Sequence, residues 1–280
     1  MKVRDVTLRD GLQSIQAVLS TLTKVDLYTH IHGLGVDEVQ LTSFVSPKRL
    51  PQLADAEALW DSTNELPGAR SALVANKMGF YRALEAGVES IEMVLALSPS
   101  YHCKNSRVTQ EATYTTFRDM SRIAHYEGVA LAIAFANAWH CSFEGATPRN
   151  RVREWVDRAV SDGATDLCLA DTTGQAAPDD VFELISEVRS NYPQVFLRAH
   201  LHCGPNGIAN AHQAALAGIN AFDATVLGIG GSPFAGEVGG NLSHRQLWEI
   251  GLIDLDPVKL IEAEGALVAA LTDNSNTVEV

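Results

Sequence analysis

The 280-residue sequence predicts a parallel α/β fold closed into a (β/α)8 TIM barrel, and three observations lead there. Apolar, strand-like runs begin just after helix-stopping or turn-forming residues. Amphipathic helical stretches separate them. The runs number eight, and the length suits one barrel of roughly 250 residues. A doubly wound open sheet is the structural alternative.

The elements follow in order. VRDVTLRD (3–10) opens the chain as the first strand. Gly35 precedes VDEVQL, and the Pro67-Gly68 turn precedes ARSALVA. Gly87 precedes VESIEMVLAL, Gly128 precedes VALAIAF, and Gly163 precedes ATDLCLAD. VFLRAHLHC follows Pro193, and INAFDATV follows Gly218. Glycine closes a helix because it tolerates the left-handed conformation, so a short loop can feed a buried strand at once. Near-continuous apolar strands suit a parallel sheet covered by helices. Val152, Trp155, Val156 and Ala159 fall at i, i+3, i+4, i+7, as do Val181, Leu184, Ile185 and Val188, so each set marks a buried helix face. No linker divides the chain, and 1–280 is expected to be a single catalytic domain with a polar tail from about residue 272.

Composition narrows the function. Hydrophobic content of 46% and charged content of 20% are those of a globular protein, and the formal net charge of −13 argues against a nucleic-acid binder. An anionic small substrate stays open, because charge inside a cleft decides that. Cys103, Cys141, Cys168 and Cys203 are scattered without CxxC spacing, so they read as free thiols in a reducing compartment. The N-terminus lacks the apolar run of a signal peptide, and no stretch is long and apolar enough to span a membrane, so the expected location is cytoplasmic.

A TIM barrel carries its active site at the C-terminal ends of its strands. The first strand is expected to end in Arg9-Asp10, and the seventh contains His200 and His202. Residues two apart on a strand share a face, so the two imidazoles form a pair, and Asp10 on an adjacent strand can add a carboxylate. Such a mixed set suits a catalytic divalent ion. The plainer readings are two polar residues near a mouth and an Arg9–Asp10 ion pair capping the barrel. The glycine-rich segment GIGGSPFAGEVGGNLS (228–243) follows strand eight, with Ser232 and Asn241 as its candidate functional polar groups. It reads as a lid or as a plain surface loop. A dinucleotide GxGxxG is not formed, since position 233 is Pro233.

TLRDGLQ (7–13), TSFVSPK (42–48), CKN (103–105), ADTTG (170–174), the HLH of 200–202 and GIGGSPFAGEVGGN (228–241) together resemble the DRE-TIM metallolyase superfamily, and within it the 3-hydroxy-3-methylglutaryl-CoA lyase family. The resemblance covers nearly the whole chain in order. It implies that Asp10, His200, His202 and Asn241 bind a divalent metal, with magnesium or manganese favoured and cobalt, iron or zinc as options. It implies that Arg9 stabilises an enolate oxygen, that His200 helps move the hydroxyl proton, and that Gln13, Gln40, Ser43 and Asp171 line the substrate pocket. Three positions depart from the family pattern. Ser232 replaces a catalytic cysteine, Gln40 replaces a glutamate, and Cys203 stands where an aspartate follows the second histidine. A thiol titrates near about 8.5 and can be tuned downward, whereas a serine hydroxyl needs an adjacent base. Cys203 is expected to point away from the histidines.

The expected function is metal-dependent retro-aldol cleavage of a 3-hydroxy-acyl-CoA to an acyl-CoA and a keto acid, with a shifted substrate or a different proton donor. The alternatives are an aldolase acting on a free hydroxy-keto acid, the condensing direction, and a barrel that binds metal and ligand without turnover. The chain ends too soon after the barrel for the further domain of related synthases, which favours cleavage. Expected partners are the small-molecule substrate and a second copy of the chain in a homodimer, with no nucleic acid and no membrane.

Overall fold

The computed structural model describes residues 1–231 and 239–275. Its eight parallel strands are β1 (Lys2–Asp5), β2 (Glu38–Phe44), β3 (Arg70–Val74), β4 (Ser90–Ala96), β5 (Ala130–Ala136), β6 (Asp166–Asp171), β7 (Phe196–Leu201) and β8 (Ala221–Ala224). They close in the order β1-β8-β7-β6-β5-β4-β3-β2, with β1 paired to both β8 and β2. Every strand expected from the sequence is present, and the fold is a (β/α)8 TIM barrel.

Helices α1 (Thr21–Gly33), α2 (Ala56–Ser62), α3 (Lys77–Glu85), α4 (Pro99–Ser106), α5 (Gln110–Glu127), α6 (Arg149–Ser161), α7 (Pro178–Asn191), α8 (Gly207–Leu216), α9 (His244–Glu249) and α10 (Pro257–Ser275) lie around the sheet. The buried residues of α6 and α7 are the two predicted sets, Val152, Trp155, Val156, Ala159 and Val181, Leu184, Ile185, Val188. Gly128 closes α5 with φ 70°, its N–H reaching the Ala124 carbonyl. Trp139 packs with its indole N–H donating to the Asp180 carbonyl at 3.1 Å. The four cysteines are free. Among the described residues, no helix is long and apolar enough to cross a membrane.

Two boundaries correct the sequence reading, and both bear on the site. β1 ends at Asp5, so Arg9 and Asp10 do not end a strand; they sit on a buried π-helical turn, Thr7–Gly11. The Asp5 carboxylate starts this turn by accepting from the Thr7 N–H at 2.8 Å and the Thr7 hydroxyl at 2.6 Å. The amides of Asp10 and Gly11 then both donate to the Val6 carbonyl. β7 ends at Leu201, and His202 lies just beyond it in an isolated bridge with Asn241. The His202 position is thus fixed by the segment after β8 rather than by strand pairing alone.

Candidate active site

The C-terminal mouth of the barrel gathers Asp10, His200, His202 and Asn241, all buried. The ligand atoms of Asp10, His200 and His202 lie within 4.8 Å of one another. The two imidazole Nε2 atoms face each other at 3.3 Å, and the His200 Nε2 lies 3.9 Å from Asp10 Oδ2. Their outer nitrogens are committed elsewhere. His200 Nδ1 meets Asp223 Oδ2 at 3.1 Å, and His202 Nδ1 meets the Thr172 carbonyl at 2.9 Å. A carboxylate and a carbonyl can only accept, so each Nδ1 carries a hydrogen, and each ring turns its Nε2 inward, a lone pair whenever the ring is neutral. Two facing lone pairs beside a carboxylate are mutually repulsive unless a cation joins them.

Asn241 supplies an independent test of fit. Its Nδ2 donates to Asp10 Oδ2 at 2.7 Å and to the Ile229 carbonyl at 3.0 Å. Its Oδ1 is left buried with no partner among the described residues. An orphaned carbonyl oxygen, two inward imidazole nitrogens and a carboxylate are a donor set that a divalent ion satisfies. The outer partners of the two histidines fix tautomer and ring orientation, as ligand histidines require. Burial pushes the His202 imidazole down to about 4, and neighbouring His200 adds to that, so the ring is neutral near pH 7. Burial alone raises the Asp10 carboxyl, but Arg9, the two histidines and the Asn241 bond outweigh it and hold it well below the usual carboxylate range. Gly230, with φ +124°, passes so close that an added Cβ would lie 2.1 Å from Asn241 Nδ2. The glycine density of this segment therefore lets the backbone run directly over the ligand pair.

The remaining predicted site residues fall around this centre. Arg9 Nη1 donates to Asp10 Oδ1, and Arg9 Nε donates to Gln40 Oε1 at 2.5 Å. Gln13 Nε2 donates to the same Asp10 oxygen at 2.6 Å. Gln40 lies beneath Arg9, fully buried, and its Nε2 donates to Glu92 Oε1 at 3.1 Å. Ser43 and Thr42, near the end of β2, are buried, and their hydroxyls have no partner among the described residues. Asp171 ends β6, and its oxygens accept from the Gln175 and Ala176 amides at 3.2 and 3.1 Å, which builds the turn into α7. Burial pushes its carboxyl up to about 6 against those bonds. Cys203 turns toward α9, where its sulfur accepts from Gln246 Nε2 at 3.1 Å. Ser232 lies outside the described residues. Sequence reasoning missed Asp223, Glu92 and the Thr172 carbonyl. The signal for Asp223 was its place in the eighth strand, where it pairs in register with His200.

The chain matches the HMGL-like family model over residues 1–248. It is 34% identical over 256 residues to the (R)-citramalyl-CoA lyase of Chloroflexus aurantiacus, covering 87% of this chain and 80% of that one. Against the cytoplasmic human 3-hydroxy-3-methylglutaryl-CoA lyase the identity is 29% over 249 residues, covering 88% and 67%. Among solved structures, an HMG-CoA lyase from A. baumannii in complex with coenzyme A and 3-methylmalate superposes with a TM-score of 0.90 at 30% identity, covering 97% of this chain and 91% of that one. A family match spanning nearly the whole barrel, joined to these relatives, makes the chain a member of the HMGL-like family and a carbon–carbon lyase.

Proposed function

We propose that the protein is a divalent-metal-dependent lyase that splits a short 3-hydroxy-3-methyl-acyl-CoA carrying a second carboxylate, with citramalyl-CoA ahead of 3-hydroxy-3-methylglutaryl-CoA. The observation that carries the metal part is the orphaned Asn241 Oδ1 beside two inward-facing imidazoles and Asp10. The substrate order rests on the higher identity to the citramalyl-CoA lyase. Magnesium or manganese is the preferred ion, since the donor set holds no thiolate. We also propose that the chain works as one catalytic domain, as a homodimer, in the cytoplasm.

In this reading Asp10, His200, His202 and Asn241 hold the ion. The ion supplies Lewis-acid polarisation of the substrate's 3-hydroxyl, lowering its pKa. The reaction balances simply. The hydroxyl proton leaves, C3–O becomes a ketone, and the C2–C3 bond breaks with its electron pair retained on C2. The product thioester enolate then takes up one proton at C2. Arg9 has Nε and Nη1 engaged, and among the described residues its Nη2 carries no hydrogen bond, so it is placed to donate to the enolate oxygen. The Ser43 hydroxyl, without a partner among the described residues, suits a substrate carboxylate or carbonyl. Asp223 orients His200 by accepting from its Nδ1–H, which leaves the His200 Nε2 for the ion. Ser232 stands where the family carries a cysteine, so protonation of C2 is the step expected to differ from that of the relatives.

The test is thioester turnover with added magnesium or manganese, using both thioesters, beside His202→Ala and Ser232→Cys. Citramalyl-CoA cleavage that EDTA abolishes and His202→Ala reduces by at least about 10³-fold supports the reading. Turnover that survives both treatments rejects it. Cleavage only by Ser232→Cys shows that the wild type runs a different reaction, and free hydroxy-keto acids become the substrates to test.

A further inference from the structure

Beneath the mouth, four strands send charged side chains to one buried cluster. Arg4 on β1, Glu92 on β4, Arg198 on β7 and Asp223 on β8 are each at most 3% exposed. Glu92 Oε2 accepts from Arg4 Nη1 at 3.0 Å and from Arg198 Nη2 at 2.6 Å, and its Oε1 accepts from Arg4 Nη2 at 3.2 Å. The same Oε1 accepts from Gln40 Nε2 at 3.1 Å. Arg4 continues to Asp223, through Nε at 2.9 Å and Nη2 at 2.7 Å, and Asp223 holds His200. A continuous path thus runs from Arg9 through Gln40, Glu92, Arg4 and Asp223 to His200.

We propose that Glu92 is a positioning residue of the lyase reaction: it fixes the orientation of the Gln40 amide and, through it, the aim of the Arg9 guanidinium. The inference rests on the role given to Arg9 above. The directional logic is strict. A glutamine side chain has one accepting and one donating end, and a half-turn about its last bond exchanges them. Two arginines clamp Glu92 in its ionised form, a pure acceptor, so the NH2 end must face it. The carbonyl end is thereby turned to Arg9 Nε. Without the Glu92 charge, the amide can present its NH2 to Arg9, donor against donor, and the guanidinium loses one of the two bonds that set its plane. The same glutamate also steadies Arg4, which steadies Asp223 behind His200, so one buried anion buttresses both sides of the reacting centre. A purely structural role for Glu92 predicts something different: once the protein is folded, kcat should not depend on which end of residue 40 faces Arg9.

Five variants separate these cases in steady-state assays of the metal-loaded enzyme, each checked by thermal denaturation. Glu92→Gln and Gln40→Met are expected to lower kcat by about 10- to 100-fold, with KM changed less than about threefold, because sub-ångström misaim is costly in the transition state. Gln40→Met leaves every Glu92–arginine contact in place, so it carries the test even where Glu92→Gln fails to fold. The double variant Gln40→Glu/Glu92→Gln puts an acceptor back toward Arg9 and a donor beneath it, and should recover kcat to within about fivefold of wild type. Wild-type kcat in Gln40→Met, or a double variant no better than its Gln40→Glu parent, overturns the proposal. Arg9→Met distinguishes the two levels of failure. If it retains wild-type kcat, the role of Arg9 itself is wrong; if it is inactive while Gln40→Met is unimpaired, only the positioning role of Glu92 falls.

Discussion

The lower and upper halves of the barrel interior use similar side chains to opposite ends. Below, every charged atom of Arg4, Glu92 and Asp223 has a partner, while Arg198 bonds through Nη1 and Nη2 and among the described residues leaves only its Nε without one. Above, Asn241 Oδ1 and Ser43 Oγ are buried without one among the described residues, and two imidazole nitrogens face each other at 3.3 Å. A buried polar atom left unpaired costs about 1–3 kcal/mol, so the upper site is held in an unfavourable arrangement that a ligand relieves. The difference teaches which half does which task. The paired half supplies rigidity, and the unpaired half supplies binding.

The largest effect should come from breaking the paired half. Arg4→Met leaves Asp223 without its arginine and Glu92 with Arg198 alone, and is expected to cost about 3–5 kcal/mol in chemical denaturation at pH 7. A loss below about 1 kcal/mol would mean the cluster is not what braces the barrel, and the comparison between halves would fail.

A smaller effect contrasts one carboxylate from each half, Glu92 and Asp171, by the sign of its pH dependence. Burial alone raises the Glu92 carboxyl, but Arg4 and then Arg198 bring it down to about 2 from an ordinary 4.5. Its folded pKa lies below the unfolded one, so its stabilisation is present above about pH 4.5 and is lost as pH falls toward 2, on the order of 3 kcal/mol in all. Asp171 has the reverse sign: burial lifts its carboxyl from 3.8 to about 6. The folded state holds that proton more tightly, so stability falls as pH rises from about 4 to 6. Denaturation at several pH values, for wild type and Asp171→Asn, should show the variant gaining on wild type by about 2 kcal/mol between pH 4 and 7. A pH-independent difference would show that the Asp171 carboxylate is fully compensated by its turn.

The same contrast explains what was legible in the sequence. Strands and helix faces follow from periodicity and glycine stops, and for α6 and α7 the buried sets emerged residue for residue. The candidate ligand set was visible as an HxH pair and a strand-proximal aspartate. The end of β1 was not, because VRDVTLRD alternates like a strand, and only the three-dimensional grip of Asp5 on Thr7 and His244 turns the chain aside. The lower cluster was also hidden. Arg4, Glu92, Arg198 and Asp223 sit far apart in sequence, each reading singly as a charge on a strand. Their meaning depends on closure, which places all four on the inner face, where the two arginines pair with Glu92 and Asp223. Gln40 shows the point most sharply: the sequence marks it as a pocket residue with a lost charge, while the fold supplies a carboxylate one layer beneath it, at Glu92.

The smallest stability effect should accompany a clear functional one. Ser43→Ala removes a buried hydroxyl that has no partner among the described residues, so the folded protein loses no hydrogen bond and sheds a desolvation cost. Its stability is expected to stay within about 0.5 kcal/mol of wild type or to rise slightly. If the hydroxyl is there for the substrate, KM should rise by about 5- to 20-fold, the equivalent of one hydrogen bond to a charged group. Denaturation and steady-state kinetics on the same preparation decide it. A destabilised Ser43→Ala with unchanged KM would place that hydroxyl among the bracing groups of the lower half, and would show that an unpaired atom in this barrel is not by itself a mark of the binding site.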